Sequence, residues 1–388
     1  MKHKFISKRY WNDISTPMGE SGDLTRKYED LINFSLGDPD YTTDERIIEA
    51  AFKDAKNGHT HYTDFLGDLE LREEILKYYK TQYQYEVALE ECMVTTSGCH
   101  AMWLVLESIL DDGDEVIIHE PYFTPYPQQI RLARGVPVVL ETYEEAGFEV
   151  ESQRLEKLIT NRTKAIIINT PNNPTGTCFS KKTLEEIGKI AIKHDLLIIA
   201  DDIYTAFSYA EPFIPITILK EMKERTITIG SFSKDYAMTG WRIGYVLAPS
   251  FIIETMKDVN ENNVFTAPSI SQRAAFHGLK LRDKVQPPMI EEYKNRIYYA
   301  YERISKIPNM SVLPPRGSLY MFINIKGTGL TSKEVVDRLL EEAHILVLPG
   351  NAFGNCGEGY IRIAVTVGVE KLKEAFDRIE KMDIFSLK

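Results

Sequence analysis

Cysteine is scarce in this sequence. Four are present in 388 residues, Cys92, Cys99, Cys178 and Cys356, and no two stand in a CxxC spacing. So few unpatterned cysteines argue against a disulfide-stapled secreted domain and fit a reducing compartment. Basic side chains are outnumbered, 46 against 57 acidic, for a net charge of −11. That balance argues against a nucleic-acid or anionic-membrane surface, without excluding a local basic pocket. No apolar run approaches the roughly 18 residues of a membrane span. Met1 to Asp13 is polar and charged with no apolar h-region, so no signal peptide is expected. No Gly/Ser-rich or like-charge run marks a linker, and there is no internal repeat or low-complexity tract. What is present, 43% hydrophobic and 27% charged residues, is the composition of a soluble globular protein, expected in the cytoplasm. The length allows a large core and two or three structural units.

Residues 1–35 are mixed and polar, with Pro17, Gly19 and Gly22 breaking any long element, and read as an irregular arm. A helix is expected from Asp44 to Lys56, capped by Thr43 or Asp44, and a second from Leu69 to Tyr79. His59 and His61 are two apart, but no nearby Cys or third His supports a metal, and none is expected. From residue 92 the pattern alternates. Strands are expected at 92–96, 115–119, 137–141, 164–169, 196–200, 226–230 and 242–248, with helical patterns at 99–110, 151–160 and 181–194. That rhythm predicts an α/β fold, a large domain with a mostly parallel seven-stranded sheet flanked by helices. From about Pro287 the texture changes. A helical pattern at 290–307 precedes strands at 310–313, 319–325, 345–348 and 360–365, with helices at 331–343 and 369–381. This predicts a smaller α+β domain over 287–388, joined by the arm (1–45), beside a large domain over 46–286. Gly327 to Lys333 looks faintly like a phosphate loop but lacks its residue order, and Thr331 to Glu334 reads better as a helix cap.

The chemistry collects around Ser231-Phe232-Ser233-Lys234, which follows a strand, with Arg242 eight residues beyond the lysine. A lysine held in a cleft is desolvated, which favours the uncharged amine that attacks carbonyls. Serine hydroxyls and a bidentate arginine beside it suit a phosphate. In parallel α/β sheets ligands bind beyond the carboxyl ends of strands. Past 92–96 lies Ser97-Gly98-Cys99-His100, either an anion cradle at a helix start or an ordinary capped helix. Past 115–119 come Tyr122, Phe123 and Tyr126, a face that could stack on a planar ring or simply pack in the core. Past 164–169 comes the turn-rich Thr170 to Gly176. Past 196–200 come Asp201 and Asp202, acids costly to bury unless paired; a pyridinium nitrogen would be such a partner.

In this order the pieces resemble the class I aminotransferases (class I and II together), pyridoxal-phosphate enzymes of the aspartate-aminotransferase fold type, fold type I. The matching signals are Asn173-Pro174-Thr175-Gly176, the Asp201-x-x-Tyr204 pair, Ser231-x-Ser233-Lys234, Gly240-Trp241-Arg242-Ile243-Gly244 and Tyr360-Ile361-Arg362-Ile363-Ala364, in a likeness running from about residue 30 to the C-terminus. The resemblance implies that Lys234 forms the internal aldimine with pyridoxal 5'-phosphate and later shuttles a proton at the substrate Cα. Asp201 would pair with the ring nitrogen, Tyr204 and Asn173 with the ring 3-oxygen, and Phe123 would stack on the ring. Gly98, Cys99, Ser231 and Arg242 would hold the phosphate, and Tyr62 would reach it from the partner subunit of a homodimer with shared sites. Arg362 would clamp the substrate α-carboxylate, with Gly37 closing over it. The implied activity is ping-pong transfer of an amino group between an L-amino acid and a 2-oxo acid. The alternative on the same fold is a C–S β-lyase acting on cystathionine-like substrates. A transcriptional regulator with an aminotransferase-like domain would need a DNA-binding module in front, and only about 30 residues precede the resemblance, with no helix-turn-helix pattern. The Cys99-His100 pair departs from the smaller residues usual there. The sequence does not name the amino-acid substrate.

Overall fold

The computed structural model describes residues 3–11 and 28–386. Most of the expected arm, with Pro17, Gly19 and Gly22, lies outside the described residues. In chain order the elements are β1 (Ile32–Asn33), α1 (Glu45–Lys56), α2 (Leu69–Tyr83), β2 (Cys92–Thr95), α3 (Gly98–Ile109), β3 (Glu115–Glu120), α4 (Tyr126–Leu132), β4 (Val136–Glu141), α5 (Ser152–Leu158), β5 (Thr163–Asn169), α6 (Lys181–Lys193), β6 (Leu197–Asp201), β7 (Thr226–Ser231), β8 (Gly244–Leu247), α7 (Ser250–Glu261), α8 (Ser269–Ile304), β9 (Tyr320–Asn324), α9 (Ser332–Ala343), β10 (Ile345–Leu346), β11 (Leu348–Pro349), β12 (Tyr360–Ala364) and α10 (Val369–Ile379). Side-chain oxygens cap several helices by accepting first-turn N–H groups: Asp44 for α1, Asp68 for α2, Ser97 for α3 and Ser180 for α6. Thr331 and Glu334 form a reciprocal capping box at α9, so that stretch is a helix start.

All seven strands expected between 92 and 248 enter one sheet, in the order β2-β8-β7-β6-β5-β3-β4. β8 is antiparallel to both neighbours, and every other pair is parallel. The central strands are apolar because both faces are covered. Ile167, Ile199 and Ile227 pack on one face with Leu104 and Val105 of α3 and Ile253 and Met256 of α7. Ile166, Ile168 and Ile198 pack on the other with Leu184 and Ile187 of α6. Because β8 reverses twice, β2 runs in the same direction as β7, so the carboxyl ends of β2, β3, β5, β6 and β7 share one rim. The chain also leaves β3 for the edge strand β4 and returns to β5 on the other side of β3. Reversals of this kind open a crevice at the rim.

The second unit holds the antiparallel sheet β11-β12-β9, the parallel pair β1-β10, and helices α9 and α10. Its core joins Phe34 to Tyr293, Ile297, Ile323, Ile363 and Phe376, so the segment after the arm does pack with the C-terminal part. Three expectations there differ. The strand expected at 345–348 is split into β10, paired with β1, and β11, paired with β12. The 310–313 segment makes only one antiparallel bridge, Ser311 to Asn324, because Pro314 and Pro315 follow and cannot continue a ladder. The long helix begins at Ser269, not near 290, and runs through Pro287 and Pro288. Both prolines are exposed, as are Asp283 and Lys284, whose carbonyls lose their helical donors to the prolines and can bond water instead. The early part of α8 packs on α1 and α2, and its late part, with Tyr293, Ile297, Ala300 and Ile304, enters the second core. One helix of about 54 Å, at 1.5 Å per residue, thus spans the expected boundary at 286/287 and joins the two units.

Candidate active site

A cavity of about 260 Å³ opens at the shared rim. Gly37, Gly98, Cys99, Phe123, Asn173, Tyr204, Ser231, Lys234 and Arg242 all line it, so nine of the twelve residues singled out from the sequence meet in one place. Each arrives by a short route from a strand end. Lys234 follows β7 on a tight turn, in which the Ser233 N–H donates to Ser231 Oγ at 3.1 Å and the Met238 N–H to the Ser233 carbonyl at 3.0 Å. Its Nζ donates to the Gly37 carbonyl at 2.6 Å. Gly98 opens α3, whose first-turn N–H groups point toward the rim with the positive end of the helix dipole. Arg242 closes the turn after β7 in the left-handed region, φ 53°, and donates to the Thr239 carbonyl at 2.8 Å. Cys99 is exposed, and its carbonyl accepts from Gln129 at 3.1 Å. His100 turns aside. It stacks on Trp103, accepts the Thr96 N–H at 3.2 Å, and burial lowers its pKa to about 4, so it is neutral.

Asp201 ends β6 and lies behind the lining, beside Cys99 and Tyr204. It is only 5% exposed. Burial raises its pKa to about 6, against the pull of the Tyr126 hydroxyl, which donates to Oδ2, and of the nearby Ile203 backbone N–H. Its Oδ1 has no hydrogen-bond partner among the described residues. Asp202 next to it is also buried and is held well above the carboxylate range by burial and by the charge of Asp201. The paired strands brace this acid: Asn169 of β5, in register with Asp201, donates its amide to the Asp201 carbonyl at 2.9 Å and accepts the Asn173 N–H at 2.9 Å.

Arg362 comes from β12 in the other unit and is 0% exposed. It donates to the Ser35 carbonyl and, at 3.2 Å, to Asn173 Oδ1. Its guanidinium lies 4.5 Å from the Tyr320 ring centre and 5.1 Å from that of Phe353. No carboxylate pairs with it among the described residues, and its Nε has no partner there. A fully buried cation without an anion is costly unless something supplies one. Gly37 must lack a side chain, since a Cβ there would sit 1.7 Å from the Tyr320 hydroxyl. Tyr62 is 80% exposed, edge-on to Phe265, and is not among the residues lining this cavity. Sequence reasoning missed Tyr320 and the bond from Tyr126 to Asp201. Both are set by tertiary contact, with no local pattern to mark them.

The family model for class I and II aminotransferases matches residues 29–379. The chain belongs to that family. It is an aminotransferase, and membership implies the use of pyridoxal phosphate. An aspartate aminotransferase of Pyrococcus abyssi is 41% identical over 364 residues, 93% of each chain. An aromatic-amino-acid aminotransferase of Thermococcus litoralis is 40% identical, again over 93% of each. The solved aspartate aminotransferase of Thermus thermophilus with maleate superposes with a TM-score of 0.92 at 31% identity, covering 98% of this chain and all of that one. These aminotransferase relatives support amino-group transfer and not β-elimination. No helix among the described residues is long and apolar enough to cross a membrane.

Proposed function

We propose that the cavity takes pyridoxal phosphate on Lys234 and that from there the enzyme moves an amino group between an L-amino acid and a 2-oxo acid. The observation that supports this reading is a pair of incomplete buried groups just behind the lining of one cavity: Asp201 Oδ1 without a donor, beside Tyr204, and Arg362 without an anion, on Asn173 and Tyr320. A protonated ring nitrogen completes the first and a substrate α-carboxylate the second. Bound there, pyridoxal phosphate supplies an electrophilic carbonyl and a ring that withdraws electrons from the substrate Cα.

The chain's own residues do the rest. Lys234 Nζ would hold the cofactor carbonyl and, as a free amine, would move the proton at the substrate Cα. The carboxylate of Asp201 accepts from the ring nitrogen and keeps it protonated. Tyr204 and Asn173 bind the ring 3-oxygen, and Phe123 covers the ring face. The Ser231 hydroxyl, the Arg242 guanidinium and the N–H groups at Gly98 and Cys99 bind the phosphate. Gly37 gives backbone over the substrate, and Arg362 clamps its carboxylate. The names of the relatives point to acidic and aromatic amino acids as donors. A cytoplasmic location fits the cysteine usage, and the division into an arm (1–45), a large domain (46–286) and a small domain (287–388) remains our proposal, with α8 as the shared strut.

A half-reaction screen tests the reading. The holoenzyme is mixed separately with L-aspartate, L-glutamate, L-tyrosine and L-phenylalanine, without an oxo acid. Stoichiometric conversion of the visible absorbance to that of the amine form of the cofactor is expected with at least one of them. No conversion with any, or release of pyruvate and thiol from cystathionine as the main activity, would overturn it.

Arg362→Lys tests the clamp. A guanidinium meets a carboxylate with two parallel hydrogen bonds, and an ammonium cannot reproduce that fork. The loss in kcat/KM for amino acids should be about 2–4 kcal/mol, the range for buried charged contacts. Preference for an amino acid over the matching amine without the carboxylate should narrow. Unchanged discrimination would remove Arg362 from this role.

Assembly is tested through Tyr62, which we place against the phosphate of a partner subunit. Hybrid dimers of a Tyr62→Phe chain and a Lys234→Ala chain carry one site with both lesions and one with neither. Activity should recover above that of either parent. Hybrids that form without recovery count against shared sites.

A further inference from the structure

We infer that Tyr320 is a positioning residue that joins the hydroxyl of Tyr204 to the carboxylate clamp at Arg362, so that one ring sets both. This rests on the roles proposed above for Tyr204 and Arg362. Tyr320 stands at the start of β9 in the small unit and is 3% exposed. Its hydroxyl lies 3.0 Å from that of Tyr204, which the large unit supplies just past β6. The two rings meet edge to face, with centres 5.6 Å apart and planes at 83°. The same Tyr320 ring carries the Arg362 guanidinium on its face at 4.5 Å. The missing side chain at Gly37 makes room for the Tyr320 hydroxyl, and the Gly37 carbonyl in turn takes the Lys234 amine. Tyr320 therefore touches three of the groups that line or flank the cavity, from the opposite unit to Tyr204 and Lys234.

The direction of the hydrogen bond follows from counting protons. Each phenol has one to donate. If Tyr204 donates to the ring 3-oxygen, it has none left for Tyr320, so Tyr320 must donate to the Tyr204 oxygen. A hydroxyl that accepts such a bond becomes a stronger donor in a low-dielectric site. The charged groups acting on Tyr204 are Asp201 and Arg362, and burial together with Tyr320 holds its phenol well above the ordinary range, so it remains a proton donor at working pH. A stronger donor at the 3-oxygen stabilises its anionic form and lowers the pH at which the cofactor bound on Lys234 loses its proton. On the other side, the aromatic face beneath Arg362 fixes the plane of the guanidinium. Because Tyr204 belongs to one unit and Tyr320 with Arg362 to the other, any movement of the small unit is felt at both ends.

The test is a spectroscopic pH titration of the holoenzyme. Tyr320→Phe keeps the ring under Arg362 and removes only the donor. The midpoint of the visible absorbance change should rise by about half a pH unit, while KM for the amino acid stays within about twofold. In a Tyr204→Phe background the same substitution should leave the midpoint in place, since the relay has lost its middle member. A midpoint unmoved by Tyr320→Phe, or moved equally in both backgrounds, overturns the inference. Should Tyr320→Phe fail to fold, 3-fluorotyrosine at 320 is a more acidic donor and should lower the midpoint; no movement again overturns it. Failure of the underlying cofactor reading looks different: the parent protein then develops no titrating visible band with pyridoxal phosphate, and this inference falls with it.

Discussion

Asp201→Ala should lose two to four powers of ten in turnover and hold pyridoxal phosphate weakly. The figure follows from the proposed pairing of Asp201 with the ring nitrogen: removing one member of such a buried charge pair loses about 3–5 kcal/mol, at 1.36 kcal/mol for each factor of ten. Steady-state kcat at saturating cofactor and the dissociation constant of the cofactor check it, and near-normal turnover would contradict the role. The same carboxylate makes a second expectation of opposite sign for the cofactor-free protein. Burial lifts the Asp201 pKa from the usual carboxylate range to about 6. Below about pH 4 the acid is protonated whether the chain is folded or not, and it imposes no ionisation penalty. Between about pH 4 and 6 the unfolded chain ionises while the folded one does not, so folding stability falls as pH rises. Above about pH 6 both are ionised and the penalty is constant, on the order of 3 kcal/mol. Asp201→Asn keeps an acceptor for Tyr126 without the charge. Without cofactor it should therefore unfold at a higher temperature than the parent at pH 7, with a gain that vanishes near pH 4. With cofactor bound the order should reverse. Buried carboxylates of this kind mark sites where stability is given up for function.

Much of the sheet and of the cavity's lining is legible in the sequence, for a physical reason. Strands buried on both faces appear as short apolar runs, so all seven strands of the main sheet were located within two residues of their ends. Once the strands are placed, the rule that ligands sit beyond their carboxyl ends directs attention to Gly98, Asn173, Asp201 and Lys234. Their individual roles came from the resemblance and not from the pattern. The helix Ser269–Ile304 starts well before the pattern at 290–307, because packing at both ends and solvent beside the Pro287-Pro288 pair carry it through a sequence that ordinarily breaks a helix. The strand expected at 345–348 is in fact two two-residue strands, β10 and β11, paired in different sheets, and a break inside so short an apolar run leaves no mark in the pattern. Tyr320 resembles any other aromatic in an apolar strand. Its distinction lies in its neighbours, Tyr204 on one side and Arg362 on the other, and these come together only in the fold.

Lys234→Ala should abolish amino-group transfer altogether while leaving the phosphate contacts in place. In the proposed role the amine at position 234 has two tasks, to hold the cofactor carbonyl and to carry a proton at the substrate Cα, and a methyl group can do neither. The binding groups are spared, since Ser231 and Arg242 lie on either side of the turn and keep their own hydrogen bonds, to the Ser233 N–H and the Thr239 carbonyl. Cofactor should therefore still associate with the variant but wash out on dialysis. Borohydride treatment of the parent should fix pyridoxal phosphate to one peptide, the one spanning Lys234, and the variant should take up no label. Added methylamine, small enough for the space the side chain leaves, should restore a measurable fraction of the proton-transfer step in the variant. Rescue would separate loss of the base from collapse of the turn, because a collapsed turn cannot be repaired by an amine in solution. A label on any other lysine, or a variant that still exchanges amino groups without added amine, would displace Lys234 from the centre of the site.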